Sequence, residues 1–444
     1  MLNRSPAGQP VMSLDARLLP VIQPWLDAPH WLVAFSGGLD STVLLHLLIS
    51  LAKSRPLPPI TAVHVHHGLQ RVAEEWPAHC AKVCERLGVG LEVLHVQPGN
   101  GASLEGRARE ARYRALRDRL PMGGVLLTGQ HRDDQAETTL FRLFRGAGVS
   151  GLAAMSVDRR LGEGRLIRPL LGCGRDELEE YAQAHGLIWV EDPSNASLEH
   201  SRNFLRHQVI PVIEQRWPQA STSIARAALH CREAQQLLDE LAELDLQGAR
   251  APSRHGWLAL PSLDLACVRS LSPSRQRNAL RYWLRAFTEL PDSHHWAGWE
   301  ALRDAAIDRA PVWRLGAGEL HRGDGRLWWL SGPWLVQPAA LNAALLAENR
   351  LKLPGNGLVR LQGPAEQTSV QVRYRAGGES LTLPGRGRRD LKRLLNEAGV
   401  PAFARSRLPL LYRDDELIAV ANLPQFDTQN LSLVWSSPAI PGLS

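Results

Sequence analysis

Ser36-Gly37-Gly38-Leu39-Asp40-Ser41-Thr42 stands between an apolar run, Trp31 to Phe35, and a second apolar stretch from about Thr42 to Lys53. Two adjacent glycines let the backbone turn sharply and bring N–H groups close to an anion. Ser41 and Thr42 fall at a helix start, where hydroxyls and free N–H groups face the positive end of the helix dipole. This is a phosphate cradle, but not the Walker loop, because GxxxxGK[ST] is absent. Asp40 alone would repel phosphate, so its natural role is to hold a Mg²⁺ that bridges the nucleotide. An ordinary glycine turn with a Ser/Thr cap is the plain alternative.

A second polar cluster runs Thr128-Gly129-Gln130-His131-Arg132-Asp133-Asp134-Gln135, with Glu137 beyond it. Asp134 and Glu137 lie three apart on one helix and share a face. Two carboxylates so placed suit a cation or a proton. Asp133 and Asp134 would equally serve as helix caps, and Glu137 could pair with Arg142 or Arg145. His64, His66 and His67 alternate on a strand, and no Cys or carboxylate completes a metal set around them. Cys80 and Cys84 are one helical turn apart, without further ligands.

These residues fall at fixed points of a repeating pattern. Trp31 to Phe35, Ile60 to Val65, Leu91 to Val96 and Val125 to Thr128 read as strands. Helices are expected from about Thr42 to Lys53, Glu74 to Leu87 (stopped by Gly88), Leu104 to Leu120 and Asp133 to Phe144. Strands alternating with helices imply an α/β fold with a parallel sheet covered on both faces. Ligands in such folds sit at the carboxyl ends of the strands. SGGLDS, HHG and TGQHRDDQ fall there.

Past Pro218 the pattern changes. Ser221 to Leu246 and Arg275 to Glu289 read as long helices, followed by strand-like pieces such as Arg326 to Leu330. The expected organisation is a catalytic domain over 1–218, a helical middle domain over 219–338, a linker over 339–367, and a small α+β domain over 368–444.

The 444 residues fit two to four domains. No apolar run is long enough to span a membrane. Five scattered cysteines and an N-terminus without signal-peptide character point to a reduced, cytoplasmic protein. The net charge of +6 and the pI near 9.3 suit an anionic partner.

SGGLDS resembles the signature of the N-type ATP pyrophosphatases, which adenylate an oxygen, expel pyrophosphate and let a nucleophile displace AMP. Within that superfamily, further segments resemble the tRNA(Ile)-lysidine synthetases. They are His64 to Leu69, Ser103-Leu104-Glu105 leading to Arg109-Glu110-Ala111-Arg112-Tyr113, Thr128 to Thr138, Arg145 to Gly148, and Arg168 to Leu171. Glu191 to Asn195, Arg202 to Arg206, VRYRAGGE, LKRLLNEAGVP and LPLLY complete the set. Gln130 departs from a position where that family often has histidine.

The resemblance implies a Rossmann-like pyrophosphatase domain and a stated reaction. ATP adenylates the C2 oxygen of the wobble cytidine of tRNA(Ile) with anticodon CAU, and free L-lysine attacks to give lysidine, AMP and pyrophosphate. Free lysine's amine is protonated at neutral pH, so Asp134 and Glu137 are expected to bind the ammonium and accept its proton. Arg109 or Arg112 would offset charge at the α-phosphate, Arg109 being the better match. Asp40, Arg109, Asp134 and Glu137 are thus the expected catalytic residues. Ser36, Gly37, Gly38, Leu39, Asp40, Ser41, His64, His66 and Gly129 are expected to bind ATP, with Asp40 holding Mg²⁺. A homodimer is open as the assembly.

The expected tRNA contacts are Arg202, Asn203 and Arg206, near the end of the catalytic domain, and Arg386, Arg388, Arg389, Lys392 and Arg393. The last five belong to a strip, 386–407, that holds seven basic and two acidic residues. A solvated basic face is the plain alternative there. The tryptophans are tempting as base-stacking platforms, but most stand in apolar strings and read as core. A tRNA thiolase would share the loop but needs paired cysteines or an iron–sulfur cluster, and Cys173, Cys231 and Cys267 are isolated. An RNA-binding protein with a dead nucleotide fold is the other alternative, and intact SGGLDS and DDQAET count against it.

Overall fold

The structure, a computed structural model, describes residues 13–66, 68, 74–97, 104–289, 295–306, 309–344, 350–363 and 370–440, without the side chains of 104 and 105. His67, Leu69, Ser103 and the Glu105 side chain, all named above, lie outside the described residues. The chain divides into two compact units, Met1–Gln236 and Leu237–Ser444.

In the first unit, α1 (Leu14–Ile22) is followed by β1 (Trp31–Ala34), α2 (Leu39–Ala52), β2 (Ile60–His66), α3 (Trp76–Leu87), β3 (Gly90–His95), α4 (Leu104–Arg119), β4 (Val125–Leu127) and α5 (Arg132–Leu143). Then come α6 (Val149–Leu152), β5 (Asp158–Leu161), β6 (Gly164–Ile167), α7 (Arg175–Ala184), α8 (Ser201–Phe204), α9 (Ile210–Arg216) and α10 (Ala220–Gln247), whose last turns, from Leu237, belong to the second unit. The strands form one sheet in the order β3-β2-β1-β4-β6-β5. All pairings are parallel except β5 with β6.

Strand order reverses at β1, so the crevice outside the carboxyl ends of β1 and β4 is the ligand position such a sheet offers. Alternation along the strands feeds two cores. Trp31, Val33, Val125 and Leu127 pack with α2 and α3 on one face, and Leu32, Leu126 and Leu166 pack with Leu116 of α4 on the other. Leu44, Leu45, Leu47 and Leu48 are all buried, so α2 is covered nearly all round. α3 ends at Gly88, whose φ of 66° satisfies the left-handed C-cap.

The second unit contains β7 (Ser262–Asp264), α11 (Leu265–Arg269), α12 (Pro273–Leu284), α13 (Trp296–Asp304), β8 (Val312–Leu315), β9 (Gly318–Gly323) and β10 (Arg326–Leu330). The middle region expected to be helical therefore also holds an antiparallel sheet, ordered β7-β10-β9-β8. Its strands are short and β10 is buried throughout, so no two-residue alternation announces them. Trp299, Trp313, Trp328 and Trp329 are buried in this core and offer no stacking face.

The expected linker, 339–367, is instead structural. It supplies β11 (Asn342–Ala344), β12 (Arg350–Leu353) and β13 (Gly357–Gln362). These pair with each other or with β14 (Val370–Arg373) and β19 (Ser432–Ser436). Its Pro/Gly signals mark a hairpin rather than a tether: Gly355 and Gly357 have φ of 66° and 82°. Between β14 and β19 lie β15 (Ser380–Leu383), β16 (Gly387–Asp390), α14 (Leu391–Glu397), β17 (Leu410–Arg413) and β18 (Glu416–Val420). No helix among the described residues is long and apolar enough to cross a membrane.

Candidate active site

A cavity of about 380 Å³ opens at the β1/β4 crevice. The loop after β1 forms one wall. Gly37 has a φ of 83°, and a Cβ there would meet Cys80 Sγ at 3.0 Å. Gly38 caps α2, and its carbonyl accepts from Ser41 Oγ (3.0 Å) and Thr42 Oγ1 (2.9 Å). Ser36 Oγ lies 3.1 Å from Ser41 Oγ and accepts from the Gly38 N–H at 3.3 Å. The first N–H groups of α2 thus face an anion-sized space. Gly129 lets β4's end approach the loop: a Cβ there would lie 3.0 Å from the Asp40 carbonyl carbon and oxygen.

Asp40 lines this cavity, and its Oδ1 is buried without a hydrogen-bond partner. Burial pushes the Asp40 carboxyl pKa up, against the pull of His131. An orphaned carboxylate oxygen beside a phosphate cradle fits a cation. The described residues contain no group of three or more metal-ligating side chains, so a Mg²⁺ held by Asp40 would depend on the nucleotide and water for most of its ligands.

His131, 1% exposed, sits at the N-cap of α5 among three carboxylates. Its Nε2 is 3.5 Å from Asp134 Oδ2 and 3.8 Å from Asp40 Oδ1, and its Nδ1 is 3.3 Å from Asp133 Oδ2. Burial alone would lower its pKa, but Asp134, Asp133 and Asp40 together raise it to about 9. Asp133 falls to about 2: burial opposes this, while His131 and the Arg175 N–H favour the carboxylate.

Asp134 lines the cavity, and Glu137, one turn on, is 3% exposed. Between them sits a guanidinium. Arg206 donates from Nε to Glu137 Oε1 at 2.6 Å and from Nη2 to Glu137 Oε2 and Asp134 Oδ1, both at 3.0 Å. Burial holds the Glu137 pKa above its ordinary value in spite of Arg206. Arg206 lies on a π-helical segment, Leu205–Val209, a rare geometry that re-aims side chains.

Several expected contacts lie elsewhere. Val63 and Val65 of β2 line the cavity, whereas His64 and His66 do not. Strand alternation turns the histidines to the opposite face, where His64 Nδ1 meets Phe35 O at 2.9 Å. Arg112 lines the cavity and Arg109 does not; Arg109 lies over the Tyr113 ring, 5.1 Å from its centroid. Asn203 is no free RNA contact, because its Nδ2 donates to Ser194 O and Ser197 O, both at 2.9 Å. That brace holds the Glu191-to-Asn195 loop, and the N–H of Val190 just before it is tied to Gly37 O at 2.9 Å. Arg206 serves the carboxylates.

The cavity also includes Trp76, Tyr113, Gln130, Arg175, Trp189, Glu191, Asp192 and Asn195. Tyr113 and Asn195 stand in segments whose resemblance was noted. Nothing in the sequence marks Trp76, Arg175 or Trp189.

In the second unit, Arg386, Arg388, Arg389, Lys392 and Arg393 are all exposed. Glu397 pairs with Arg386 (2.8 Å) and Arg393 (3.2 Å), and Arg388 donates to Ser380 Oγ. Arg407 leaves the strip: it is buried and donates to Pro333 O and Val336 O.

The PP-loop domain family matches residues 12–213, the TilS substrate binding domain 263–328 and the TilS substrate C-terminal domain 370–433. The chain is 58% identical over 417 residues to a tRNA(Ile)-lysidine synthase of Pseudomonas putida, covering 94% of this chain and 98% of that one. It is 57% identical to the tRNA(Ile)-lysidine synthase of Pseudomonas aeruginosa, covering 98% and 100%. Among solved structures, a U34-tRNA thiolase of Methanococcus maripaludis with its [4Fe-4S] cluster has a TM-score of 0.42 at 20% identity, over 50% of this chain and 78% of that one.

Proposed function

The chain belongs to the tRNA(Ile)-lysidine synthase family of ATP-dependent ligases, and from that membership we propose the following reaction. The C2 oxygen of the wobble cytidine, in a tRNA(Ile) with anticodon CAU, attacks the α-phosphorus of ATP. The bond to the β-phosphate breaks and pyrophosphate leaves. The ε-amine of free L-lysine then attacks C2, the C2–O bond breaks, and AMP departs with that oxygen. A C–N bond replaces the C–O bond, and the base becomes lysidine. The proposed substrates, a tRNA and free lysine, support a cytoplasmic location.

The loop Ser36–Ser41 would hold the leaving pyrophosphate on the N–H groups of α2. Bound Mg²⁺, on Asp40 and the phosphates, would neutralise charge there. Arg112, inside the cavity, is better placed than Arg109 to offset charge at the α-phosphate. Asp134 and Glu137 would bind the lysine ammonium and take its proton as attack begins. A Glu137 whose pKa is raised by burial is a stronger base than an ordinary glutamate.

One observation supports this reading most: the Asp134–Glu137 pair already holds a cation, Arg206, at the cavity wall. The cysteines argue against sulfur transfer. Burial pushes Cys80 and Cys84 up to about 12 and 11, far from the thiolate form. Incubation with tRNA(Ile), ATP and radiolabelled lysine tests the reaction. Label should enter the tRNA only when ATP is present, with one pyrophosphate released per lysine. No lysine in the tRNA would overturn it.

A further inference from the structure

Helix α4 carries two kinds of arginine. Arg114 pairs with Glu110 (3.6 Å), Arg117 with Asp118 (2.8 Å) and Arg119 with Glu92 (2.7 Å). Arg109 and Arg112 have no carboxylate partner among the described residues. Arg202 of α8 has none either, and Arg142 of α5 donates only to the Gly151 and Ala154 carbonyls, at 2.9 and 3.0 Å.

Geometry gathers these four: Arg112 and Arg206 line one cavity, Arg202 stands four residues before Arg206, and α5, which carries Arg142, packs on α8. Burial lowers the pKa of Arg112, and Arg109 and Arg202 lower it further. Burial likewise lowers that of Arg142, helped by Arg202 and Arg109. Arg109 and Arg159 both lie over the Tyr113 ring, at 5.1 and 5.4 Å. Cations crowded without carboxylate partners among the described residues favour the approach of an anion.

We propose that Arg109, Arg142 and Arg202 form a track for the phosphodiester backbone of the RNA strand flanking the base in the cavity, leaving Arg112 to the α-phosphate. This rests on the tRNA reading above. The anion is not the compact pyrophosphate, because of the four only Arg112 lines the cavity and the Ser36–Ser41 loop already supplies a phosphate cradle. The charges spread over three helices, as successive singly charged phosphates require. Helices α5 and α8 pack together, and each ends in an exposed aromatic, Phe144 (67% exposed) and Phe204 (47%). Exposed rings and arginines carried on the same helices are the usual means of holding unpaired RNA bases.

The test is a fluorescence-anisotropy titration of the tRNA(Ile) anticodon stem-loop across a salt series. Arg202→Gln and Arg142→Gln should each weaken binding on the order of fivefold and reduce the salt slope by about 0.7. Arg114→Gln, on the paired face, should change neither. ATP affinity and inhibition by inorganic pyrophosphate should hold in all three. Unchanged RNA affinity and slope in both track variants, with wild-type binding intact, would sink the track alone. Weaker pyrophosphate inhibition with unchanged RNA binding would also overturn it, by assigning the arginines to the leaving group. If the wild-type protein did not bind this RNA, the tRNA reading itself would fall.

Discussion

Arg206 grips Glu137 through two hydrogen bonds, Nε to Oε1 at 2.6 Å and Nη2 to Oε2 at 3.0 Å, and reaches Asp134 with the same Nη2. The pair that should bind the ammonium of lysine therefore holds a cation from its own chain. Arg206→Met leaves a buried carboxylate without its partner. The expected cost is up to about 3 kcal/mol of stability, measured by denaturant unfolding. Added lysine should restore part of it, raising Tm in the variant more than in wild type. Equal shifts in both proteins would show that lysine does not use these carboxylates.

Glu137→Gln and Asp134→Asn should separate the two half-reactions. Pyrophosphate release should persist, while lysine transfer falls by about 10²- to 10⁴-fold. Rapid-quench measurement of both products checks this. Unchanged turnover and lysine KM in both variants would remove the assignment.

Two substitutions test the loop. Asp40→Ala should abolish adenylation, and normal AMP release by that variant would refute its metal role. Gly129→Ala puts a methyl against the Asp40 backbone, which has no flexible side chain to yield. Its ATP affinity should drop while its circular dichroism spectrum stays that of wild type.

His131 gives the stability a signed pH dependence. Its pKa is about 9 in the fold against 6.5 unfolded. Its contribution is fully present below pH 6.5 and is lost as pH rises toward 9. Unfolding free energy should fall across that window in wild type, and His131→Asn should flatten the fall. A variant curve parallel to wild type would contradict the three-carboxylate environment.

The exposed strip at Arg388, Arg389 and Lys392 should contact RNA phosphates. Replacing all three with Gln should reduce the salt slope for full tRNA by about 2 to 3, measured by filter binding. ATP affinity should not change.

Much of the first unit was legible because its signals are local. The apolar strand, the glycine pair and the Ser/Thr helix start sit in the twelve consecutive residues from Trp31 to Thr42, and Asp134 and Glu137 share a helix face by spacing alone. What escaped depends on three-dimensional placement. Strand alternation decides that Val63 and Val65, not His64 and His66, face the cavity. Arg206 is 69 residues from Glu137, so no spacing rule pairs them. Arg109 and Arg112 are neighbours on one helix, and only packing around Tyr113 tells them apart. The strands of 339–367 are too short to outweigh their own turn signals, and two of the three, β11 and β13, find partners only in 370–436 or in their own hairpin.

The central claim is that an oxygen of the wobble base is activated and leaves with AMP. A tRNA(Ile) carrying a heavy-oxygen label at C2 of that cytidine tests it directly, with mass analysis of the products after turnover with ATP and lysine. The label is expected in the phosphate of AMP, in proportion to the lysine incorporated. Lysine incorporation with unlabelled AMP would contradict it.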